Sequence, residues 1–235
     1  MTLVLLHGLG LTSNIWDPLI AILDGDVVAL DLPGHGQCID KDFSWEGVWT
    51  SLIQSLGTEN ANSCTLVLHS FAAAILPEIV KSGLIFKKVI FLEGILHSDD
   101  AVWTKDLPEM KNDAFQQWLV RFRSVSEMAL RSQLVKRHST REISLWSEGF
   151  RSANGDALRI MASNLVDRLH TDAIEKSLNS AKFPSIYIRG EKSRLGLVGR
   201  DFISSLGIII AEVPESGHFP MLDNPFVLKQ QLLEG

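Results

Sequence analysis

The chain has 235 residues, 46% hydrophobic and 21% charged, with a formal net charge of −6; this is the balance of a soluble domain long enough to bury one core, and its acidic excess argues against nucleic acid as a partner. No run is long and apolar enough to span a bilayer, and the opening Met-Thr-Leu-Val-Leu-Leu-His-Gly lacks the basic leader and cleavage site of an export signal. A cytoplasmic protein is expected, with Cys38 and Cys64 reduced; without a CxxC pair or an HExxH helix, no metal and no cofactor are expected.

Short apolar runs alternate with amphipathic stretches, the pattern of a parallel sheet with crossover helices. The predicted strands are Leu3–Leu6, Val27–Leu30, Thr65–Leu68, Lys88–Leu92, Ser185–Ile188 and Ile208–Val213, each nearly all apolar, as when both sheet faces are covered. Trp45, Val48, Leu52 and Leu56 recur at helical spacing behind a Ser44 cap. Pro77 falls inside the helix expected after Ser70, where it would kink the helix or remove one backbone bond. From about Leu96 to Ser180 no strand pattern interrupts two helical stripes. One is Phe115, Trp118, Leu119 and Phe122; the other is Leu158, Met161, Ala162, Leu165 and Leu169. This reads as a helical cap, residues 96–180, inserted into an α/β core of residues 1–95 and 181–235. It would lie over the carboxyl edge of the sheet, where ligands bind in open parallel sheets. Asn224-Pro225 then opens a closing helix.

Three turns at strand ends carry the chemistry. Strand Thr65–Leu68 runs into His69-Ser70-Phe71-Ala72, a strand-to-helix turn that projects the Ser70 hydroxyl above the sheet. Small Ala72 suits such a turn, whereas Leu68 stands where glycine is expected. His7-Gly8-Leu9-Gly10 follows the first strand, and the backbone amides of Leu9 and Phe71 are the candidates for an oxyanion-binding pair. Ser216-Gly217-His218-Phe219-Pro220 follows the last strand, so His218 can reach over the edge to Ser70 as general base and then acid.

These segments, with Asp31-Leu-Pro-Gly-His-Gly36, resemble the α/β-hydrolase fold superfamily, in its small, lid-bearing serine hydrolase subgroup, over essentially the whole chain. The resemblance implies a truncated fold with a mostly parallel sheet of about six strands, beginning at the third strand of the usual eight. In most relatives the triad acid is an aspartate after the penultimate strand, but here Ile188-Arg-Gly-Glu-Lys-Ser193 puts serine in its place, with Glu191 two residues early. Haloalkane dehalogenases instead carry the acid after the strand following the nucleophile, and that strand ends here at Phe91-Leu-Glu93-Gly94. Glu93 is therefore the expected partner of His218; the alternative is an exposed or lid-pairing carboxylate. Those dehalogenases use an aspartate nucleophile, so Ser70 speaks against dehalogenation. Asp31, His35, His69 and Asp223 are read as turn or capping residues.

The expected function is hydrolysis of a small carboxylic ester or thioester through Ser70, His218 and Glu93, with a small-molecule substrate and no membrane partner; the oligomeric state is not legible. Two alternatives stand beside it. One is a lyase or carbon–carbon bond hydrolase acting on an anionic substrate, for which Arg121, Arg123, Arg151 and Arg159 of the cap offer cations. The other is a non-catalytic binding protein that retains the fold.

Overall fold

The apolar runs pair into one sheet. In the computed structural model, which describes residues 2–101, 104–194 and 199–234, the strands are β1 (Thr2–Leu6), β2 (Val27–Leu30), β3 (Cys64–His69), β4 (Lys88–Leu92), β5 (Ser185–Gly190) and β6 (Ile209–Val213). They stand in the order β2-β1-β3-β4-β5-β6, and every neighbouring pair is parallel. Side chains alternate between faces along a strand. Val4, Leu6, Leu66, Leu68, Val89 and Phe91 enter one buried cluster, while Leu3, Leu5, Val67, Ile90, Leu92 and Ile188 enter another on the opposite face. Both faces need apolar residues, which is why the strands read as unbroken apolar runs. The edge strands are less covered, and Ile209 of β6 is exposed.

Helices close both faces. Trp45–Leu56 buries Trp45, Val48, Leu52 and Leu56 on the first. Its N-terminus is capped by the Ser44 hydroxyl, which accepts from the Gly47 amide at 3.0 Å. Pro225–Glu234 covers the second with Leu228 and Leu232. Pro77 is not in a helix interior. Residues Ser70–Ile75 take 3₁₀ turns, and the α-helix Leu76–Ser82 starts with Pro77 in its first turn, where a missing N–H costs nothing.

Between β4 and β5 the described residues hold helices and no strand: Asn112–Ser124, Ser126–Arg131, Thr140–Trp146, Glu148–Ser152, Gly155–His170 and Ala173–Ser180. Phe115 and Leu119 of the first, with Leu158, Met161, Ala162 and Leu165 of the fifth, are buried in the cluster that covers the sheet. This helical segment is tied to loops at the carboxyl edge. The Asn154 amide donates to the Gly34 carbonyl after β2, at 2.8 Å. After β6, the His218 amide donates to the Gln133 carbonyl at 3.1 Å. Among the described residues, no helix is long and apolar enough to cross a membrane.

Candidate active site

Parallel strands deliver their carboxyl ends to one edge, and the loops there carry the reactive groups. Ser70 follows β3 directly and has φ of 55°. A left-handed conformation is costly for a residue with a side chain; it is held here between a buried strand and the turns of Ser70–Ile75. Ala72, Ala73 and Ala74 are fully buried behind it, sharing a cluster with Leu68.

Glu93 stands at the same edge, one residue past β4, and also has a left-handed backbone, with φ of 53°. Its carboxylate is fully buried and accepts three hydrogen bonds. The Gly190 amide reaches Oε1 at 2.6 Å, and the Ser193 hydroxyl reaches Oε2 at 2.6 Å. The third donor is His218 Nδ1, 3.0 Å from Oε2. A buried carboxylate without such partners would cost far more than folding can spare. Because Oε2 accepts, Nδ1 carries the ring proton and Nε2 keeps a free lone pair. The structure thus brings Glu93 and His218 into contact. Glu191 is placed elsewhere: its carboxylate accepts from the Glu215 amide and pairs with Lys192.

The His218 loop is clamped from several sides. Its amide is bonded to Gln133, and its carbonyl accepts from His69 Nε2 at 3.1 Å. The preceding Gly217 amide donates to the buried Asp223 carboxylate at 2.8 Å, which also accepts from the Val135 and Lys136 amides. Asp223 is therefore a tie between the helical segment and the histidine loop.

Three further histidines form the floor of the edge. His7 Nε2 accepts from the Leu32 amide at 3.0 Å, and His35 Nε2 accepts from the Gly10 amide at 3.1 Å. Their Nδ1 atoms face the Gly8 and Pro33 carbonyls. Burial, with the repulsion of His35, pushes His7 down to about 3. Burial also lowers His35 and takes His69 well below the ordinary histidine range, the neighbouring His218 adding to the latter. These three are neutral structural groups that shape the loops. Asp31 serves likewise, its carboxylate accepting from the Ser13 and Gln37 amides.

Ser70 and His218 open onto a cavity of about 370 Å³, whose lining includes Leu9 and Phe71. The loop bearing Leu9 comes close to the serine: a Cβ on Gly8 would lie 3.0 Å from Ser70 Cβ. The far wall comes from the helical segment, with Trp118, Phe122 and Phe150. Of Arg121, Arg123, Arg151 and Arg159, the cations the sequence offered there, three are engaged elsewhere. Arg123 donates to the Ala153 carbonyl, Arg151 pairs with Glu127 and Glu148, and Arg159 donates to the Met110 carbonyl and lies over the Phe115 ring. Arg121 alone lines the cavity. Both cysteines are free, and no cluster of three metal-ligating side chains occurs among the described residues.

Sequence reasoning missed the Gly190 amide and the Ser193 hydroxyl as partners of Glu93. The available signal was the adjacency of β4 and β5, whose register pairs Leu92 with Ile188 and so aligns the two loops.

Residues 3–229 match the model of a family described as the alpha/beta hydrolase family. No curated protein matches. Among solved structures, a haloalkane dehalogenase loop variant from Bradyrhizobium elkanii is 18% identical with a TM-score of 0.75, the match covering 98% of this chain and 87% of that one. An esterase from Exiguobacterium antarcticum is 16% identical with a TM-score of 0.71, covering 100% and 91%. An alpha/beta hydrolase fold protein from Burkholderia ambifaria is 16% identical with a TM-score of 0.69, covering 100% and 90%. At these identities the likeness is one of fold.

Proposed function

Because the chain belongs to the alpha/beta hydrolase family, we propose that it is a serine hydrolase of small carboxylic esters or thioesters. In this reading Ser70 Oγ attacks the carbonyl carbon while His218 Nε2 takes its proton. The Leu9 and Phe71 amides hold the oxyanion that forms. The imidazolium, steadied by Glu93, returns the proton to the leaving alkoxide or thiolate, and an acyl-enzyme remains. Water activated by the same Nε2 then releases the acid. The helical segment acts as a cap whose aromatic residues shape the acyl pocket.

The observation that carries this reading is the bond of 3.0 Å between Glu93 and His218 Nδ1. It supports the tautomer whose Nε2 can act as a base, on a histidine that shares a cavity with a left-handed serine. The dehalogenase neighbours do not lend their activity, since the residue at the nucleophile turn here is serine. The test is labelling with a fluorophosphonate and turnover of p-nitrophenyl butyrate. Ser70→Ala is expected to abolish labelling, and His218→Ala to slow it by roughly 10³-fold or more; a Ser70→Ala protein with full turnover would refute the reading.

Arg121 favours a second reading, a carbon–carbon bond hydrolase or lyase acting on an anionic substrate. It lines the cavity, and its guanidinium has no ion pair or hydrogen bond among the described residues. Turnover of anionic substrates that is lost in Arg121→Ala, with neutral esters untouched by the enzyme, would favour that reading over ester hydrolysis.

A further inference from the structure

We propose that Ser193 is a positioning residue, whose hydroxyl locks the Glu93 carboxylate in the plane from which it orients His218. The inference rests on the proposal that Glu93 serves His218 in catalysis, and goes beyond it in assigning a role to the loop after β5.

The geometry of the carboxylate makes the case. Rotation about the terminal bond of a glutamate side chain is nearly free, since it joins a tetrahedral to a planar carbon. The Gly190 amide holds Oε1 alone, which leaves Oε2 able to swing about that contact. Oε2 is the oxygen that meets His218 Nδ1, and it is also the oxygen that Ser193 Oγ holds at 2.6 Å. With both oxygens pinned the plane is set before the imidazole becomes charged. A group placed about 1 Å off can cost a hundredfold in rate.

Ser193 is itself held in place. It is buried, and its amide donates to the Gly190 carbonyl at 3.0 Å. Its carbonyl accepts from Arg189 Nη2 at 2.7 Å. Arg189 is buried in turn and pairs with Glu212 at 2.8 Å. A hydroxyl suits the place better than an acid would. A carboxylate at hydrogen-bonding distance from Glu93 would set two like charges together, and one of them would have to take up a proton. Serine supplies a donor and no charge.

The test compares Ser193→Thr with Ser193→Val, two side chains of the same shape that differ in the hydroxyl, using p-nitrophenyl butyrate. Losing a hydrogen bond to a charged group is expected to cost roughly ten- to a hundredfold. Ser193→Thr is expected to keep kcat within about threefold. Ser193→Val is expected to lose roughly ten- to a hundredfold in kcat at unchanged KM. Equal kcat in the two variants, whether both high or both low, would overturn the proposal. If the β-branched side chains prevent folding, Ser193→Ala takes their place: a fall in kcat at constant KM supports the role, and wild-type kcat overturns it. Ser70→Ala and Glu93→Gln run in the same assay separate the two claims. If either keeps its turnover, the catalytic reading fails; if both lose it while Ser193→Val does not, only the positioning role fails.

Discussion

Replacing Glu93 by glutamine should leave the fold standing and remove the activity, because the amide can satisfy its surroundings only by reversing the histidine. Two orientations are open to the new side chain. With its oxygen at the Oε2 position, the amide NH₂ would face the Gly190 N–H, setting donor against donor in a fully buried place; an unsatisfied pair of this kind costs about 1–3 kcal/mol. With its oxygen at the Oε1 position, the Gly190 bond survives. The NH₂ group then donates to the Ser193 hydroxyl, which can accept, and to His218 Nδ1. That second arrangement keeps three hydrogen bonds and displaces only the Ser193 hydroxyl proton, which can rotate to another acceptor, so it is the one expected.

The cost falls on the imidazole. An Nδ1 that accepts has no proton, so the proton moves to Nε2, and the lone pair needed to take the Ser70 proton is gone. The ring cannot escape by moving, since the His218 amide is held by Gln133 and its carbonyl by His69. A wrong tautomer held in correct geometry lowers kcat by roughly 10³- to 10⁴-fold in serine hydrolases of other folds. The change in stability is expected to stay within about 1 kcal/mol, because hydrogen bonds are exchanged and not lost. Turnover of p-nitrophenyl butyrate, the rate of fluorophosphonate labelling and a thermal midpoint together decide the matter. A variant within tenfold of the wild type would refute the tautomer argument. So would an activity loss that merely followed a collapse of the thermal midpoint.

The buried histidines predict a fall in stability on mild acidification. His7, His35 and His69 are all depressed on folding, so the unfolded chain binds more protons below about 6.5. Their contribution is present above that pH and is lost as pH falls, for His7 down to about 3. For His7 alone this amounts to about 2 kcal/mol between pH 8 and pH 5. Urea midpoints should drop steadily across that range, and a flat profile would show that these histidines do not enter the folded state neutral. Asp223→Ala is expected to cost about 2 kcal/mol, mainly through the Gly217 amide, which is left buried without its acceptor. Val135 and Lys136 are exposed and can turn to water, so they add little. For a chain of this length the thermal midpoint should fall by roughly 4–8 °C. Activity should fall with it, as Gly217 leads into His218; an unchanged midpoint would mean that the tie carries no energy.

The strands were legible because residues buried on both faces leave a continuous apolar run, and that signal survives without knowledge of neighbours. The turns at Ser70 and His218 were legible from their place after such runs. Glu93 was offered by the resemblance to dehalogenases, which place the acid after this strand; the structure shows its buried carboxylate 3.0 Å from His218 Nδ1. What escaped reading depended on where elements end. Phe71-Ala-Ala-Ala-Ile75 has the composition of an α-helix, which put Pro77 in its interior; the left-handed Ser70 instead starts 3₁₀ turns, and the helix proper begins at Leu76. Likewise β5 was expected to stop at Ile188, before a charged arginine. Arg189 is tolerated in the sheet because Glu212 of β6 and the Ser193 carbonyl satisfy its guanidinium.

That short extension of β5 decides the character of the site. It carries Gly190 to the sheet edge beside Glu93 and sets Ser193 over the carboxylate. Since β4 and β5 are parallel neighbours ending at the same edge, groups just past each of them meet beside the loop after β6. The carboxylate stands on the β4 side and the hydroxyl on the β5 side, and one hydrogen bond joins them. An acid and a neutral donor placed this way keep a single negative charge next to His218, whereas an acid on both strands would set two there. The serine that stands where an aspartate was expected gives the glutamate a hydrogen-bond donor and brings no second carboxylate to the edge.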